Sequence, residues 1–288
     1  MQNYPDRDPG PAASDYTCGS QTYQSHTGTD FRLKDMRAQR NGVAVLAAAP
    51  GRVLRVRNGI TDVSIKVGGA AAVAGRECGN GIVIDHGSGL TTQYCHMALN
   101  SILVRTGDLV ARGQGIGRVG LSGQTEYPHL HFTVRANNLL IDPFAPSRDQ
   151  LTQCGSSETL WDAKASAALS YRPAYILNFG FTSTPPTLKL IEEGNLPRAS
   201  KEQALLIAFL RIVNLKAGDI QRITITAPDG SIIASRVEPP IASNQAQRSV
   251  SIGKKRGLSG WQTDTYRTTY SLERRGRLIQ EKQFQLHF

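Results

Sequence analysis

The segment GIVIDHGSGLTTQYCH, Gly81–His96, is the stretch from which the fold can be read. Two β-prone runs, IVID (82–85) and LTTQYCH (90–96), flank HGSG, where glycine and serine supply turn chemistry. The segment is predicted to be an antiparallel hairpin. The same rhythm extends to both sides. VAVLAAAPGRVLRVR (43–57) reads as two strands around a Pro-Gly turn. ILVRTGDLVARGQGIGRVG (102–120) is a series of short strands punctuated by glycine, and HLHFTVRANNLLIDPF (129–144) is a second hairpin turning at ANN. Almost nothing here repeats with a helical period. The expected fold class is mainly β, with many short strands.

The rhythm breaks at CGSSETLWDAKASAALSYRP (154–173), where Ser, Gly and Ala accumulate and LWDAKASAAL suits a short helix or an extended linker. Strand-like runs resume at 174–183, 203–214, 221–238, 247–254 and 261–288. APDGSII and ERRGRLI place tight-turn residues between them. Short strands at this spacing predict an immunoglobulin-like β-sandwich, and GWQTDTYRTTY adds the late-strand aromatic pair common in such domains. Three segments are therefore expected: a flexible, Pro-, Asp- and Ser-rich arm at 1–17, a first β domain at 18–155, and a β-sandwich accessory domain at 156–288.

A chain of 288 residues suits two domains, and 40% hydrophobic with 19% charged residues excludes a disordered tail. No apolar run approaches the ~20 residues that span a bilayer, so no transmembrane segment is expected. A formal net charge of +10 suits a polyanionic partner such as nucleic acid, a membrane surface or an anionic wall polymer. The basic residues are spread along the chain apart from GKKRG and LERRGR, and no RNP-like, zinc-finger or helix-turn-helix pattern occurs. No nucleic-acid partner is expected.

Four cysteines, Cys18, Cys78, Cys95 and Cys154, lack any CxxC spacing. They fit two disulfides in an oxidising compartment better than structural zinc. Of three connectivities, the favoured one joins Cys18 to Cys154, near the two ends of the first β domain, and Cys78 to Cys95 around the hairpin. The opening MQNYPDRDPGPAASDY has neither the basic start nor the apolar stretch of a secretory signal. The disulfide-bonded character alone points to a periplasmic or secreted location.

Chemistry concentrates in two short stretches. SHTGTDFR (25–32) holds His26 and Asp30 with a glycine between them, and PHLHF (128–132) holds His129 and His131, in a chain with six histidines. A catalytic zinc needs three protein ligands and keeps a fourth position for water, whose pKa it lowers towards ~7. Residues at i and i+2 of a strand project from one face, which brings the rings of His129 and His131 to the same side. Gly28 permits the tight approach that puts Asp30 beside His26. His96 is a fifth candidate. Four ligands would close the site and leave zinc structural; three would leave two histidines for acid–base work. The residues alone leave both open.

SHTGTDF resembles the H-x-G-x-D motif, and PHLHF the H-x-H motif, of the lysostaphin-type zinc endopeptidases, which cut peptide bonds in bacterial peptidoglycan. The resemblance continues through AAAPGRV (47–53), GNGIVIDHGSGLTTQYCHM (79–97), VRTGDLVARGQGIGRVGLSG (104–123) and IDPF (141–144), covering roughly residues 25–146. Each motif alone is weak; in this order and with these glycines they are specific. The resemblance implies a two-layer antiparallel β fold with a groove across one sheet. It implies one zinc ion per chain held by His26, Asp30 and His131, with peptidoglycan peptides as the partner. His129 would be the general base. His96, in the family's aromatic-x-His position, would polarise the water or stabilise the oxyanion. Tyr94, Asn80 and Tyr127 are the candidate substrate contacts; packing on the hairpin is the competing reading for Tyr94, and fixing a turn for Asn80. His86 and His287 are read as structural or exposed.

The chain departs from the family at the rims of the expected groove. FRLKDMRAQRNG (31–42) is longer and more basic than the usual link after the metal aspartate, the loop from Asn58 to Cys78 is long, and GQTEYPHLH brings Glu126 and Tyr127 before the histidine pair. Two rival functions remain: a non-enzymatic wall-binding or hydrolase-activating module, and a secreted peptidase for soluble proteins. The complete ligand set favours an enzyme. The second domain is expected to contact the wall or a protein, or to cover the groove.

Overall fold

The computed structural model describes residues 1–147 and 154–288, which divide into two compact units, Met1–Ser170 and Tyr171–Phe288. Each unit has its own apolar core.

Unit 1 contains strands β1 (Thr29–Arg32), β2 (Ala44–Leu46), β3 (Gly51–Arg57), β4 (Asn80–Asp85), β5 (Leu90–Met97), β6 (Leu109–Val110), β7 (Gly115–Arg118), β8 (His129–Ala136) and β9 (Leu139–Ile141). The main sheet runs β1-β8-β5-β4-β3-β6 with β9 added to β8, and β2 pairs with β7 in a second, small sheet. All of these pairings are antiparallel. Val53, Ile82, Ile84, Tyr94, Phe132 and Val134 from the main sheet meet Val45 and Ile116 of the small one in a single core. This is the expected two-layer β architecture.

Local chemistry fixes the turns. The β4–β5 hairpin turns through Gly87, Ser88 and Gly89, all at positive φ. The β8–β9 hairpin turns at Asn137 and Asn138, both left-handed, a conformation that asparagine tolerates better than most residues. The Pro50–Gly51 turn does separate two strands, but they do not pair with each other: β2 joins β7, whereas β3 joins β4 and β6. The turn therefore carries the chain from one layer to the other. The basic FRLKDMRAQRNG contains a short helix, α1 (Met36–Asn41), whose N-terminus is capped by the Asp35 carboxylate accepting from Ala38 N at 2.8 Å.

Unit 2 holds β10 (Tyr175–Thr182), β11 (Leu205–Leu215), β12 (Ile220–Thr226), β13 (Ile232–Val237), β14 (Gln245–Lys255), β15 (Thr265–Arg274) and β16 (Arg277–His287). They form one sheet of order β10-β11-β14 and another of order β13-β12-β15-β16. Leu206, Leu210 and Ile212 of β11 meet Ile223, Ile225, Tyr270 and Leu272 in the core, which makes the unit a β-sandwich. Burial alternates along β12 and β15, as strands with one buried face require. The predicted tight turns occur where expected, at Gly230 between β12 and β13 and at Arg275–Gly276 between β15 and β16. The late aromatic pair is present as an edge-to-face contact between Trp261 and Tyr266 at 6.1 Å.

Two boundary expectations need correction. Residues 1–17 are not a loose arm. Gln2 N donates to Asp30 O and Asp30 N to Asn3 O, both at 2.9 Å, so the segment covers the free edge of β1. Tyr4 is buried, and the rings of Tyr4, Tyr16 and Phe144 pack at 5.1–5.4 Å. The Pro, Asp and Ser content conceals two aromatic anchors and an edge strand in need of partners. The division between units also falls after Ser170 rather than at 155. Trp161 packs on Phe31, Phe132 and Phe144, with ring separations of 5.7–6.5 Å, and so holds the post-cysteine segment to unit 1.

Both expected disulfides are present, Cys18–Cys154 and Cys78–Cys95.

Candidate metal centre

The main sheet builds the centre. On β8, Phe132 and Val134 face the core, which leaves His129 and His131 on the opposite face. Asp30 on β1 is the direct antiparallel partner of His131, and Cys95 on β5 pairs with His131 from the other side. His26 enters from the loop before β1, after Ser25 takes a left-handed φ of 62°. Gly28 is what lets these parts meet. A Cβ there would lie 2.6 Å from both His131 Nε2 and Phe132 O, so only glycine leaves room for the ring.

Asp30 Oδ1 lies at the middle of the cluster, 3.2 Å from His26 Nε2, 3.0 Å from His131 Nδ1 and 3.3 Å from His129 Nε2. The far nitrogens of the rings are committed. His26 Nδ1–H donates to Tyr4 O at 2.7 Å, and His129 Nδ1–H donates to Tyr127 O at 3.0 Å, with Thr125 Oγ1 also 3.1 Å away. His96 Nδ1–H donates to Ser122 O at 2.8 Å. Carbonyl oxygens only accept, so in the neutral state these three rings offer Nε2 lone pairs. His131 is reversed. Its Nδ1 faces Asp30, and its Nε2 lies 3.2 Å from Thr133 Oγ1 and 3.4 Å from Thr27 Oγ1. The second Asp30 oxygen, Oδ2, accepts from Asn3 Nδ2 at 2.8 Å.

This geometry fits a tetrahedral cation. Donors held ~2.0–2.1 Å from a tetrahedral zinc stand about 3.3 Å apart. The three edges among His26 Nε2, Asp30 Oδ1 and His131 Nδ1 are 3.2, 3.2 and 3.0 Å. Two imidazole nitrogens crowding each other and one carboxylate oxygen are best relieved by a cation among them. A second group of three, His96, His129 and His131, is also close enough to share an ion. It contains no carboxylate.

The electrostatics follow from burial and from the cluster itself. Burial opposes ionisation of Asp30, yet the surrounding imidazoles, His129 foremost, hold its carboxyl well below the usual carboxylate range. Burial also opposes a charge on His26, but the hydrogen bond and charge of Asp30 outweigh it and raise its pKa. Burial keeps His131 below the ordinary histidine value despite Asp30. His96 is pushed down to about 3 by burial and by the neighbouring His129 and His131, so it is a neutral acceptor at neutral pH. Its backbone is left-handed, with φ of 60°, and its ring lies 4.7 Å from that of His129.

The candidate substrate contacts divide. Tyr127 stands beside the centre, its ring 5.1 Å from His129 and covered by the Arg32 guanidinium at 3.9 Å. Tyr94 and Asn80 do not present themselves to a ligand. Tyr94 is buried in the core, where its hydroxyl accepts from Ala48 N and from Thr92 Oγ1. Asn80 is buried too. Its amide donates to Ile60 O and Met97 O and its Oδ1 accepts from Ile60 N, which ties down the start of the 58–78 loop. His86 bridges Pro50 O and Thr92 Oγ1, a structural role as expected.

Asn3, Tyr4, Tyr23 and Thr133 were not among the residues expected at the site. Tyr23 is 55% exposed, its ring lies 4.3 Å from that of His26 and tilted by 33° to it, and its phenol pKa is raised by partial burial and by Asp30. Thr133 could have been found, because it continues the i, i+2 series of His129 and His131. Asn3 and Tyr4 carry no sequence signal, since their contacts depend on chain folding across more than twenty residues.

Residues 24–143 match the model of peptidase family M23. Peptidoglycan DD-endopeptidase ShyB of Vibrio cholerae serotype O1 is 36% identical over 117 residues, which is 41% of this chain and 22% of that protein. Peptidoglycan DD-endopeptidase ShyA of the same organism is 36% identical over 107 residues, 37% of this chain and 19% of that protein. The alignments thus span about a fifth of the length of these curated relatives. Among solved structures, a point mutant of the catalytic domain of the prophage-encoded M23 protein EnpA from Enterococcus faecalis is similar over 50% of this chain and 86% of that one. The identity is 24% and the TM-score 0.34.

Proposed function

We propose that the M23 peptidase domain at residues 24–143 makes this protein a zinc-dependent endopeptidase that hydrolyses peptide bonds in bacterial peptidoglycan, acting outside the cytoplasm. The observation that carries the reading is the donor triangle of His26, Asp30 and His131, whose edges match one face of a zinc tetrahedron. These three residues would hold one zinc ion. When bound, zinc supplies Lewis-acid polarisation of the scissile carbonyl and acidifies water.

The remaining groups supply positioning and proton transfer. His129 Nε2 is fixed as an acceptor by the Nδ1–H bond to Tyr127 O, so it takes a proton from the attacking water. The same imidazolium then returns that proton to the leaving amine. His96, held neutral by burial, offers a second Nε2 acceptor beside His129 and orients the water between the two rings. Asn3 and the Tyr4 carbonyl fix the orientation of Asp30 and His26 from behind. Tyr127 borders the space in which a peptide would lie.

The test combines metal analysis with activity. Protein purified without added metal should carry about one zinc per chain. His131→Ala should lose metal and turnover, while His129→Ala should keep metal and lose turnover. Purified peptidoglycan should be digested in preference to soluble peptides. Retention of zinc by His131→Ala together with its loss from His129→Ala would overturn the assignment. Cleavage of soluble peptides alone would exclude the peptidoglycan substrate.

A further inference from the structure

The face of the main sheet that carries the histidines does not end at them. Register extends it across three more strands. Cys95 on β5 is opposite His131, and Gln93 is opposite Thr133, whose hydroxyl touches His131 Nε2. Gln93 pairs in turn with Val83 on β4, and Val83 with Arg55 on β3. Arg57 pairs with Gly81 one step along. Ile82, Ile84 and Tyr94, the alternate residues, point into the core, so Gly81, Val83, Gln93, Arg55 and Arg57 share the outer face with His131.

At the far end of this face is a concavity of about 330 Å³, lined by Arg55, Arg57, Gly81, Val83, Gln93 and Thr106, among others. Its charge is one-sided. Arg55 and Arg57 are both exposed and neither forms a salt bridge among the described residues. Arg57 feels Glu77 at longer range, so Arg55 is the less compensated of the two. Arg57 Nη1 donates to Gly79 O at 3.5 Å, and both arginines line the concavity with the amide of Gln93 and with Thr106; such a lining suits a carboxylate, which a guanidinium grips with two parallel hydrogen bonds.

We infer that Arg55 and Arg57 form a carboxylate-binding subsite of the substrate groove. Three strand spacings of ~4.8 Å separate β8 from β3, about 14 Å, which an extended peptide covers in about four residues. The Cys78–Cys95 disulfide lies on this face between His131 and the arginines, so a peptide with its scissile bond at His129 and His131 that passes over it brings an acidic group on its distal part to Arg55 and Arg57. This inference rests on the peptidase reading for the direction of the chain, and it names the substrate feature that reading leaves open: a free carboxylate remote from the cut bond.

The experiment uses the full chain and peptidoglycan fragments in two forms, with free carboxyl groups or with those groups converted to amides. Binding is measured on zinc-loaded His129→Ala protein, in which turnover is removed, with and without the pair Arg55→Gln and Arg57→Gln. The free-acid fragments should bind about tenfold more weakly after the arginine changes, and the amidated fragments should bind equally before and after. Arg55→Lys with Arg57→Lys should keep part of the preference, and raising salt from about 50 mM to about 500 mM should shrink it. Equal effects on acid and amide, or no effect on either, overturns the subsite. A chain with native histidines that cleaves neither form, while the acid preference persists in binding, would sink the peptidase reading and leave the subsite standing. Cleavage without any acid preference would sink the subsite alone.

Discussion

Asn3 Nδ2 donates to Asp30 Oδ2 at 2.8 Å, and this bond turns the other carboxylate oxygen towards three imidazoles. A residue near the start of the chain thus decides how Asp30 presents itself. Asn3→Ala should weaken zinc affinity by about 10–100-fold, the usual range for losing a partner behind a metal ligand. Competition against a chelator of known affinity measures this without any substrate. Unchanged affinity would reduce Asn3 to an edge-covering residue.

Zinc removal should lower the melting temperature of unit 1. A ligand that binds only the folded state adds about 4 kcal/mol at a thousandfold excess over its Kd. His131→Ala should melt at the same temperature with and without zinc, whereas His129→Ala should still respond. A zinc response that survives His131→Ala would move the ion to other residues.

Asp142 provides a pH signature away from the histidines. Its carboxyl is buried, with the charge of Arg7 favouring its ionisation and that of Asp15 opposing it, and its Oδ2 has no hydrogen-bond partner among the described residues. Burial pushes its pKa up to about 7, from 3.8. Between those values the folded state keeps a proton that the unfolded chain releases. Stability from this group is therefore complete below about pH 4 and falls as pH rises to about 7, by up to about 4 kcal/mol. Asp142→Asn should flatten that slope and melt higher than the parent chain at pH 8. Identical slopes in the two proteins would show that the carboxyl ionises freely.

Asn80→Ala should affect stability rather than substrate. Removing its side chain leaves the Ile60 and Met97 carbonyls and the Ile60 N–H without their partner, at a cost of about 2–3 kcal/mol. Urea unfolding should report that loss, with KM for peptidoglycan fragments unchanged. A raised KM at full stability would restore Asn80 as a substrate contact.

Much of this was legible because strands have a period of two. His129 and His131 had to share a face, and ANN and RRG had to turn, whatever surrounds them. The same period misleads at β5. Strict alternation would put His96 on the core side with Tyr94, but the left-handed φ of His96 swings its ring to His129. Tyr94 itself follows the rule and is buried, so its place in an aromatic-x-His motif overstated its reach. The contributions of Asn3 and Tyr4 were illegible for another reason. They depend on which strand of the sheet lacks a neighbour, and that is a property of topology rather than of any local pattern.

Gly28 has a consequence for how this protein tolerates change. It contributes no functional group, yet a single added methyl would collide with His131 and with the Phe132 carbonyl. In a comprehensive scan of substitutions it should be as intolerant as His26, and Gly28→Ala should lose the proposed zinc although His26, Asp30 and His131 are all still encoded. The most constrained letter of HTGTD is then the one whose contribution is an empty volume.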